Sequence, residues 1–520
     1  MPALDQTAEA QNPPPETDGR AMGVSNRTLR MPFYSLPLQE LKRGSLPGAN
    51  HYFIAGPLLF PRKKVNVSGA SVAVVERINE MQNFHRRIPR LFFVLWCFRM
   101  NLRRIGSILG SMLAEGSPVL LGAATERLAF FAAFLVLART SSPDTYGEIT
   151  AIFAFCNLLQ ILFESGTAVY FQRESVVPRD GLAGELSSSV AFRSLLFIPL
   201  VVASTLYVSP HSTMDLAIQL AIPAAVFILS MNLMLNAILY GRGLYRESLR
   251  SLLIARLLLF AGAPVLAFAG APPVAIILLI VLSGIVHGIV LSRTIRPVIP
   301  FSFAGIDVRA LTRVLRSSLP IGIGLALVAV YDRIDVLLIR KFLDFHAVAV
   351  YGVAYGMYRL PQGFHGIILT PAFTRFSVHV AKDKRLPLIR IVQPALVLAG
   401  TAILAVVFYQ FFSSFAVQLL FGERYAASAS IVRLLSFALP GVFLNNLTGV
   451  ALNALHHERQ ATAATAIGAV ANVTLNLILI PSLGIQGAAV ATIVTEYLVL
   501  GAELGFLIYN RDEISARAGI

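Results

Sequence analysis

The chain has 520 residues, of which 56% are hydrophobic and only 14% charged, with a mean hydropathy of +0.69. A soluble protein carries about 25% charged residues, so this composition excludes a soluble globular chain and points to an integral membrane protein. The net charge of +15 would suit nucleic acid, but the Lys and Arg sit in short loops between apolar runs, where membrane topology accounts for them and no nucleic-acid partner is expected.

Residues 1–105 differ from the rest, with 15 Lys/Arg against 7 Asp/Glu, three prolines at 13–15 and the run Arg62-Lys63-Lys64. They read as a basic, largely disordered cytoplasmic region. The first twenty residues lack the apolar core of a signal peptide. Residues 86–104 combine basic clusters with an apolar run at 91–98, too short to span and suited to the membrane surface. The alternative is a start set too far upstream, with Met100 or Met112 as the true first residue.

Twelve apolar segments follow, at 117–139, 147–170, 189–208, 215–240, 251–270, 273–292, 318–340, 347–374, 390–412, 428–454, 461–481 and 485–508. Each is close to the ~20 residues that cross a bilayer core. Alternate loops, beginning with 171–188, hold Arg173, Arg179, Arg242, Arg246, Arg250, Arg293, Arg296, Arg309, Arg313, Arg316, Arg375, Lys382, Lys384, Arg385 and Arg459, whereas the opposite loops hold only Lys341 and Arg424. Cytoplasmic loops carry the Lys/Arg excess. The expected topology is therefore a multi-pass protein of the cell (inner) membrane with both termini in the cytoplasm.

The chain also repeats. Glu126-Arg127 in the first span precedes Tyr146-Gly147, and Asp332-Arg333 in the seventh precedes Tyr351-Gly352 at nearly the same distance. Leu235-Asn236-Ala237 and Leu452-Asn453-Ala454 close the fourth and tenth spans. The predicted fold is all-α: an N-lobe at 106–300 (spans 1–6) and a C-lobe at 301–510 (spans 7–12), related by a pseudo-two-fold axis along the membrane normal, with a short tail at 511–520.

Charges inside spans are costly and are functional-site candidates by default. Arg193, Arg256 and Arg433 fall near predicted span ends, where they are expected to snorkel to headgroups. Arg127, Arg333 and Arg359 lie deeper; they form either an anion site or internal ion pairs, such as Arg333 with Glu126. Asp332 and Asp335 share a helix face and either hold a coupling H⁺ or Na⁺ or balance the arginines. Pro361, two residues after Arg359, predicts a kink beside that charge. Glu496 and Glu503 face the interior, and the pairs Asn232/Asn236 and Asn472/Asn476 suit inter-helix hydrogen bonds. The chain has no P-loop, its nine histidines form no metal-spaced cluster, and Cys97 and Cys156 are isolated. No cofactor and no metal are expected.

The stretch SSLPIGIGLALVAVYDRIDVLLIRKFLDFHAVAVYGVAYGMYRL at 317–360 resembles the polysaccharide-export branch of the superfamily that also holds the multidrug-and-toxin exporters: a Pro near the helix start, Arg-x-Asp (Arg333-Ile334-Asp335) in its middle, then Tyr-Gly. FGERYAASASIVRLL at 421–435 and NVTLNLILIPSLGIQGAAVAT at 472–492 are similar to later segments of that branch, and the resemblance covers about residues 107–510. The long N-terminal region has no counterpart in the pattern, and twelve spans rather than fourteen set the chain apart from peptidoglycan-precursor flippases. The resemblance implies a V-shaped bundle and a flippase, not an enzyme. Its substrate would be a polyprenyl-diphosphate-linked oligosaccharide, held through Arg127, Arg333 and Arg359 and handed to polymerase and export machinery. The alternatives are an ion-coupled multidrug exporter using Asp332 and Asp335, and a membrane oligosaccharide polymerase or ligase, disfavoured by the short outer loops.

Overall fold

The computed structural model describes residues 118–207, 214–300, 307–383 and 385–515. The expectations for residues 1–105, including the interfacial run and Cys97, fall outside these. In chain order the helices are α1 (Pro118–Thr140), α2 (Pro143–Glu164), α3 (Thr167–Glu174), α4 (Leu182–Tyr207), α5 (Leu216–Gly241), α6 (Tyr245–Phe268), α7 (Pro273–Ile295), α8 (Val308–Phe342), α9 (Phe345–Arg359), α10 (Gln362–Asp383), α11 (Leu388–Phe421), α12 (Ser428–Ser436), α13 (Leu439–Ala454), α14 (Glu458–Leu483) and α15 (Ile485–Tyr509). A two-residue parallel bridge, Leu386–Pro387 with Ile514–Ser515, ties the chain's end to the start of α11.

Each predicted span falls on one helix or on a broken pair. Among the described residues nine helices are long and apolar enough to cross a membrane, and the pair α12–α13, bent by 42°, makes a tenth. The other two predicted spans are α8 and α9–α10. Large apolar side chains such as Leu404, Phe411 and Phe415 on α11 are exposed, as a lipid-facing surface requires.

Local chemistry sets the ends and the breaks. Asp307 and Asp344 accept backbone N–H groups at the starts of α8 and α9, and Ser142 caps α2 ahead of Pro143. In both halves the second span is interrupted. The first break, between α2 and α3, is made by Ser165 and Gly166, both at positive φ (51° and 74°). It seats against α8: a Cβ on Gly322 would lie 2.7 Å from the Ser165 Cα. The second, at Leu360-Pro361 between α9 and α10, is the expected proline kink.

At the end of the bundle that holds the α1–α2 turn, the two halves meet in a continuous seam. Arg139 donates to the Leu419 and Leu420 carbonyls, where α11 ends. Arg424 donates to the Ser141 carbonyl at 2.9 Å, and the Tyr425 hydroxyl to Ala138 O at 3.2 Å. Burial pushes the Tyr425 phenol up to about 12, so it stays a donor at any physiological pH. Arg340 bonds Tyr207 O at 2.7 Å and stacks its guanidinium 3.8 Å from the Tyr207 ring centre. The two Tyr-Gly pairs also sit in this seam: Gly147 packs against the backbone of Phe345 and Ala349, and Gly352 against Thr150.

At the other end, Glu185 on α4 is fully buried and accepts from Tyr170 (2.9 Å), Arg179 and Arg313 (2.8 Å). This carboxylate keeps the Arg179 guanidinium, in the α3–α4 loop, above its ordinary range, chiefly through the hydrogen bond. It also pins the polar first turns of α8, the segment that joins the halves, to the first half.

Candidate functional site

The six charged residues singled out in the sequence divide into two groups. Glu126 on α1 is held by Arg256 of α6 through two parallel bonds of 2.6 and 2.7 Å, and Arg256 also donates to Ser283 Oγ on α7 at 2.8 Å. The Arg256 guanidinium lies 5.0 Å from the Phe130 ring centre, and the residue is fully buried. Arg256 therefore does not snorkel. Nor does Arg193, which is buried beside Glu164 at 3.5 Å and donates to Ser230 O. The reason is partners on neighbouring helices: Glu164 of α2 and Glu126 of α1 hold the two guanidiniums inside the bundle. α4 and α6 also begin at Leu182 and Tyr245, six or seven residues before the predicted span starts. Arg433 is half-buried in the last turn of α12 and contacts Ser414.

Breaking the first pair from the acid side leaves a buried cation. Glu126→Ala is expected to destabilise the N-terminal half by about 2 kcal/mol: removing one partner of a buried pair costs about 3–5 kcal/mol, and less applies here because the Glu126 side chain is 37% exposed while Arg256 is buried. Glu126→Gln, which keeps one acceptor, should cost less. Thermal unfolding of the purified protein in detergent checks this, and an unchanged midpoint in Glu126→Ala would refute it.

The second group lies where the halves face each other. Arg359 Nη2 binds both Asp332 oxygens at 2.6 and 2.7 Å, Tyr355 OH donates to Asp332 Oδ1 at 2.9 Å, and Arg333 Nε is 3.6 Å from the same carboxylate. Arg127, reaching from α1, donates to the Gln362 carbonyl at 3.1 Å, in the first turn of α10 just after the Leu360-Pro361 break; His365 Nδ1 meets the same oxygen. It lies close enough to Arg359 for mutual repulsion. Arg333 and Arg359 side chains are 33% and 39% exposed, and Arg127 is exposed, so all three guanidiniums are reachable. Three guanidiniums against one carboxylate leave a net charge of +2. Asp335 is turned away: it is buried, accepts from the Tyr351 hydroxyl and the Val336 N–H, and has no arginine partner within 4 Å among the described residues.

The expected pair Arg333–Glu126 does not form; each acid is neutralised within its own half. Deeper in the second half, Glu496 accepts from Asn445 at 2.5 Å and Glu503 from Thr448. Asn232 and Asn236 make the inter-helix bonds expected, to Gly284 O and Ser248 Oγ. Asn472 and Asn476 bond each other within α14 instead. Among the described residues no group of three His, Cys, Asp or Glu could hold a metal ion.

Residues 113–377 match the family described as polysaccharide biosynthesis protein. A probable low-salt glycan biosynthesis flippase, Agl15, of Haloferax volcanii is 27% identical over 166 residues, covering 31% of this chain and 34% of that protein. An uncharacterized membrane protein of Methanocaldococcus jannaschii is 29% identical over 97 residues, 19% of each chain. The chain thus spans 34% and 19% of the length of these relatives. Among solved structures, the lipid II flippase MurJ in an inward closed conformation aligns with a TM-score of 0.59 at 16% identity, over 76% of this chain and 87% of that one. A transporter of the MOP superfamily from Pyrococcus furiosus aligns at 0.56 and 15% identity, over 78% and 96%. At such identities the likeness is one of fold: an all-helical bundle like those of these two proteins. With the family matched across residues 113–377, half of its length, the chain belongs to the polysaccharide biosynthesis protein family.

Proposed function

We propose that the protein is a flippase that moves polyprenyl-diphosphate-linked oligosaccharides across the cytoplasmic membrane, from the inner to the outer leaflet, for polysaccharide export. The observation that carries this reading is the cluster of Arg127, Arg333 and Arg359. Two of its arginines come from one half and one from the other, all three are reachable, and one carboxylate leaves them under-neutralised. A diphosphate diester carries two negative charges and matches that excess. Guanidiniums hold phosphate through paired hydrogen bonds, strongly so where water is scarce. Family membership and the glycan and lipid flippases among the similar proteins point the same way. A cationic drug would meet the same arginines as repulsion.

In this reading the diphosphate bridges the halves, the sugars occupy the wet space between them, and the polyprenyl tail stays in the bilayer. With the Lys/Arg-rich loops taken as cytoplasmic, the seam of Arg139, Arg340 and Arg424 lies on the outer side and the site faces the cytoplasm. Rocking of the halves then carries it outward. Asp332 and Glu126 balance arginines. Asp335, with a tyrosine rather than an arginine as partner, is the acid placed to couple H⁺ or Na⁺ to the return step.

The test uses proteoliposomes holding the purified protein and a fluorescent polyprenyl-diphosphate sugar, with an impermeant quencher reading sidedness. Protein-dependent transfer supports the proposal. No transfer by folded protein under imposed H⁺ and Na⁺ gradients would overturn it.

A further inference from the structure

A cavity of about 400 Å³ opens between α4, α5 and α7. Its size falls in the range of ligand sites, roughly 300–1,000 Å³. Its floor is apolar: Phe227 and Met231 come from α5, and Ile285 and Ile289 from α7. α7 carries Gly284 and Gly288 on one face, which lets α5 pack closely against it behind the cavity. A Cβ on Gly288 would lie 2.7 Å from Asn232 Oδ1, and one on Gly284 2.8 Å from Ile228. Asn232, the polar side chain in the floor, is already bonded to Gly284 O at 2.7 Å.

One end of this groove is strongly basic. Arg293 and Arg296, three apart and so on one face of the helix end, line it and are exposed. Neither makes a side-chain hydrogen bond or an ion pair with a described residue, in contrast to Arg179, Arg193, Arg256 and Arg313 in the same part of the chain. An apolar slot ending at two unpaired guanidiniums fits a chain attached to a phosphate. All its lining residues belong to one half, so an occupant stays with that half when the lobes rock. A resident lipid fits that constraint, and a cargo carried between leaflets does not.

We propose that this groove binds an anionic phospholipid of the surrounding bilayer, with one acyl chain between α5 and α7 and the phosphate between Arg293 and Arg296. The site is separate from the arginine cluster between the halves.

The experiment uses the full chain in phosphatidylcholine nanodiscs doped with phosphatidylglycerol bearing a photoreactive group near one acyl end, with labelled peptides mapped by mass spectrometry. Labelling should concentrate on the peptides containing Met231, Ile285 and Ile289. It should fall about tenfold in Arg293→Gln/Arg296→Gln, given that each basic residue near an anionic surface contributes a several-fold preference. Ile289→Trp, which fills the groove from the lipid side, should abolish it with both arginines in place. Equal labelling by a photoreactive phosphatidylcholine would overturn the proposal, as would labelling indifferent to the double Gln variant or no stronger than on other lipid-facing helices. Preferential labelling by a polyprenyl-phosphate probe would also overturn it, by making the groove a substrate-tail site.

Discussion

Arg359→Ala should weaken binding of a polyprenyl-diphosphate sugar by at least about thirtyfold. Truncating one partner of a desolvated, hydrogen-bonded charge pair costs about 2–5 kcal/mol, and about 1.4 kcal/mol is a factor of ten. The fold should survive, because Asp332 keeps Tyr355 and Arg333 beside it. Arg359→Lys should recover only part of the affinity, since a single ammonium cannot reproduce the paired geometry. Asp332→Asn should act in the opposite direction on binding. It removes the one carboxylate that competes with the ligand for Arg333 and Arg359, so binding tightens while release, and with it turnover, slows. Titration of the purified variants with a fluorescent diphosphate-linked sugar separates the two effects from transport in liposomes. If Arg359→Ala and Asp332→Asn shifted affinity in the same direction, Asp332 would not be a competitor for the site. If neither shifted it, the arginines would be structural.

The divergent roles of the two repeat-related acids explain why sequence reading reached this cluster only in part. Glu126-Arg127 and Asp332-Arg333 occupy equivalent places, yet Glu126 is held by Arg256 from α6 and Asp332 by Arg359 from α9. The positions were legible because ionised groups in apolar runs stand out. The partners were not, because they lie 130 and 27 residues away and packing decides between them. The proline beside Arg359 announced the break after which α10 starts at Gln362, the residue whose carbonyl Arg127 reaches. The snorkelling expected of Arg193 and Arg256 fails because acids on other helices, Glu164 and Glu126, hold them inside. Hydropathy also trims the polar first turns of α4 and α6, and in the same way it hid the first ten residues of α8. The stretch beginning Val308-Arg309 read as loop, but Asp307 caps it as helix and Glu185 anchors its Arg313. Glu185 itself left no signal: it is one of three acids, with Glu174 and Asp180, in a loop that also holds Arg173 and Arg179.

The seam was the least legible part, because its acceptors are backbone carbonyls, which every sequence has. Its one sequence trace is the repeated Tyr-Gly, and the two glycines are not equivalent. A Cβ on Gly352 would meet a Thr150 methyl at 3.2 Å, which a small rotation relieves. A Cβ on Gly147 would lie 2.7 Å from the Phe345 carbonyl carbon and 3.1 Å from the Ala349 nitrogen, and backbone inside a helix cannot step aside. Overpacking of this kind costs about 1–3 kcal/mol, and against backbone the upper end applies. Gly147→Val should therefore leave each half folded but disfavour the sealed seam by about a hundredfold, whereas Gly352→Ala should change little. Cysteines at Ser141 and Arg424, residues joined by a 2.9 Å bond from the Arg424 guanidinium to the Ser141 carbonyl, are bridged by a bifunctional thiol reagent long enough to span the lost arginine side chain, in a background with Cys97 and Cys156 replaced by serine. Cross-linking should be fast in the parent and in Gly352→Ala and nearly lost in Gly147→Val. Reactivity toward an impermeant thiol reagent from the outer side should rise in parallel. Undiminished cross-linking in Gly147→Val would mean that the approach of α2 to α9 is not what closes that end. A loss of cross-linking together with a collapsed melting transition would mean that the glycine serves the fold of one half, not the contact between the two.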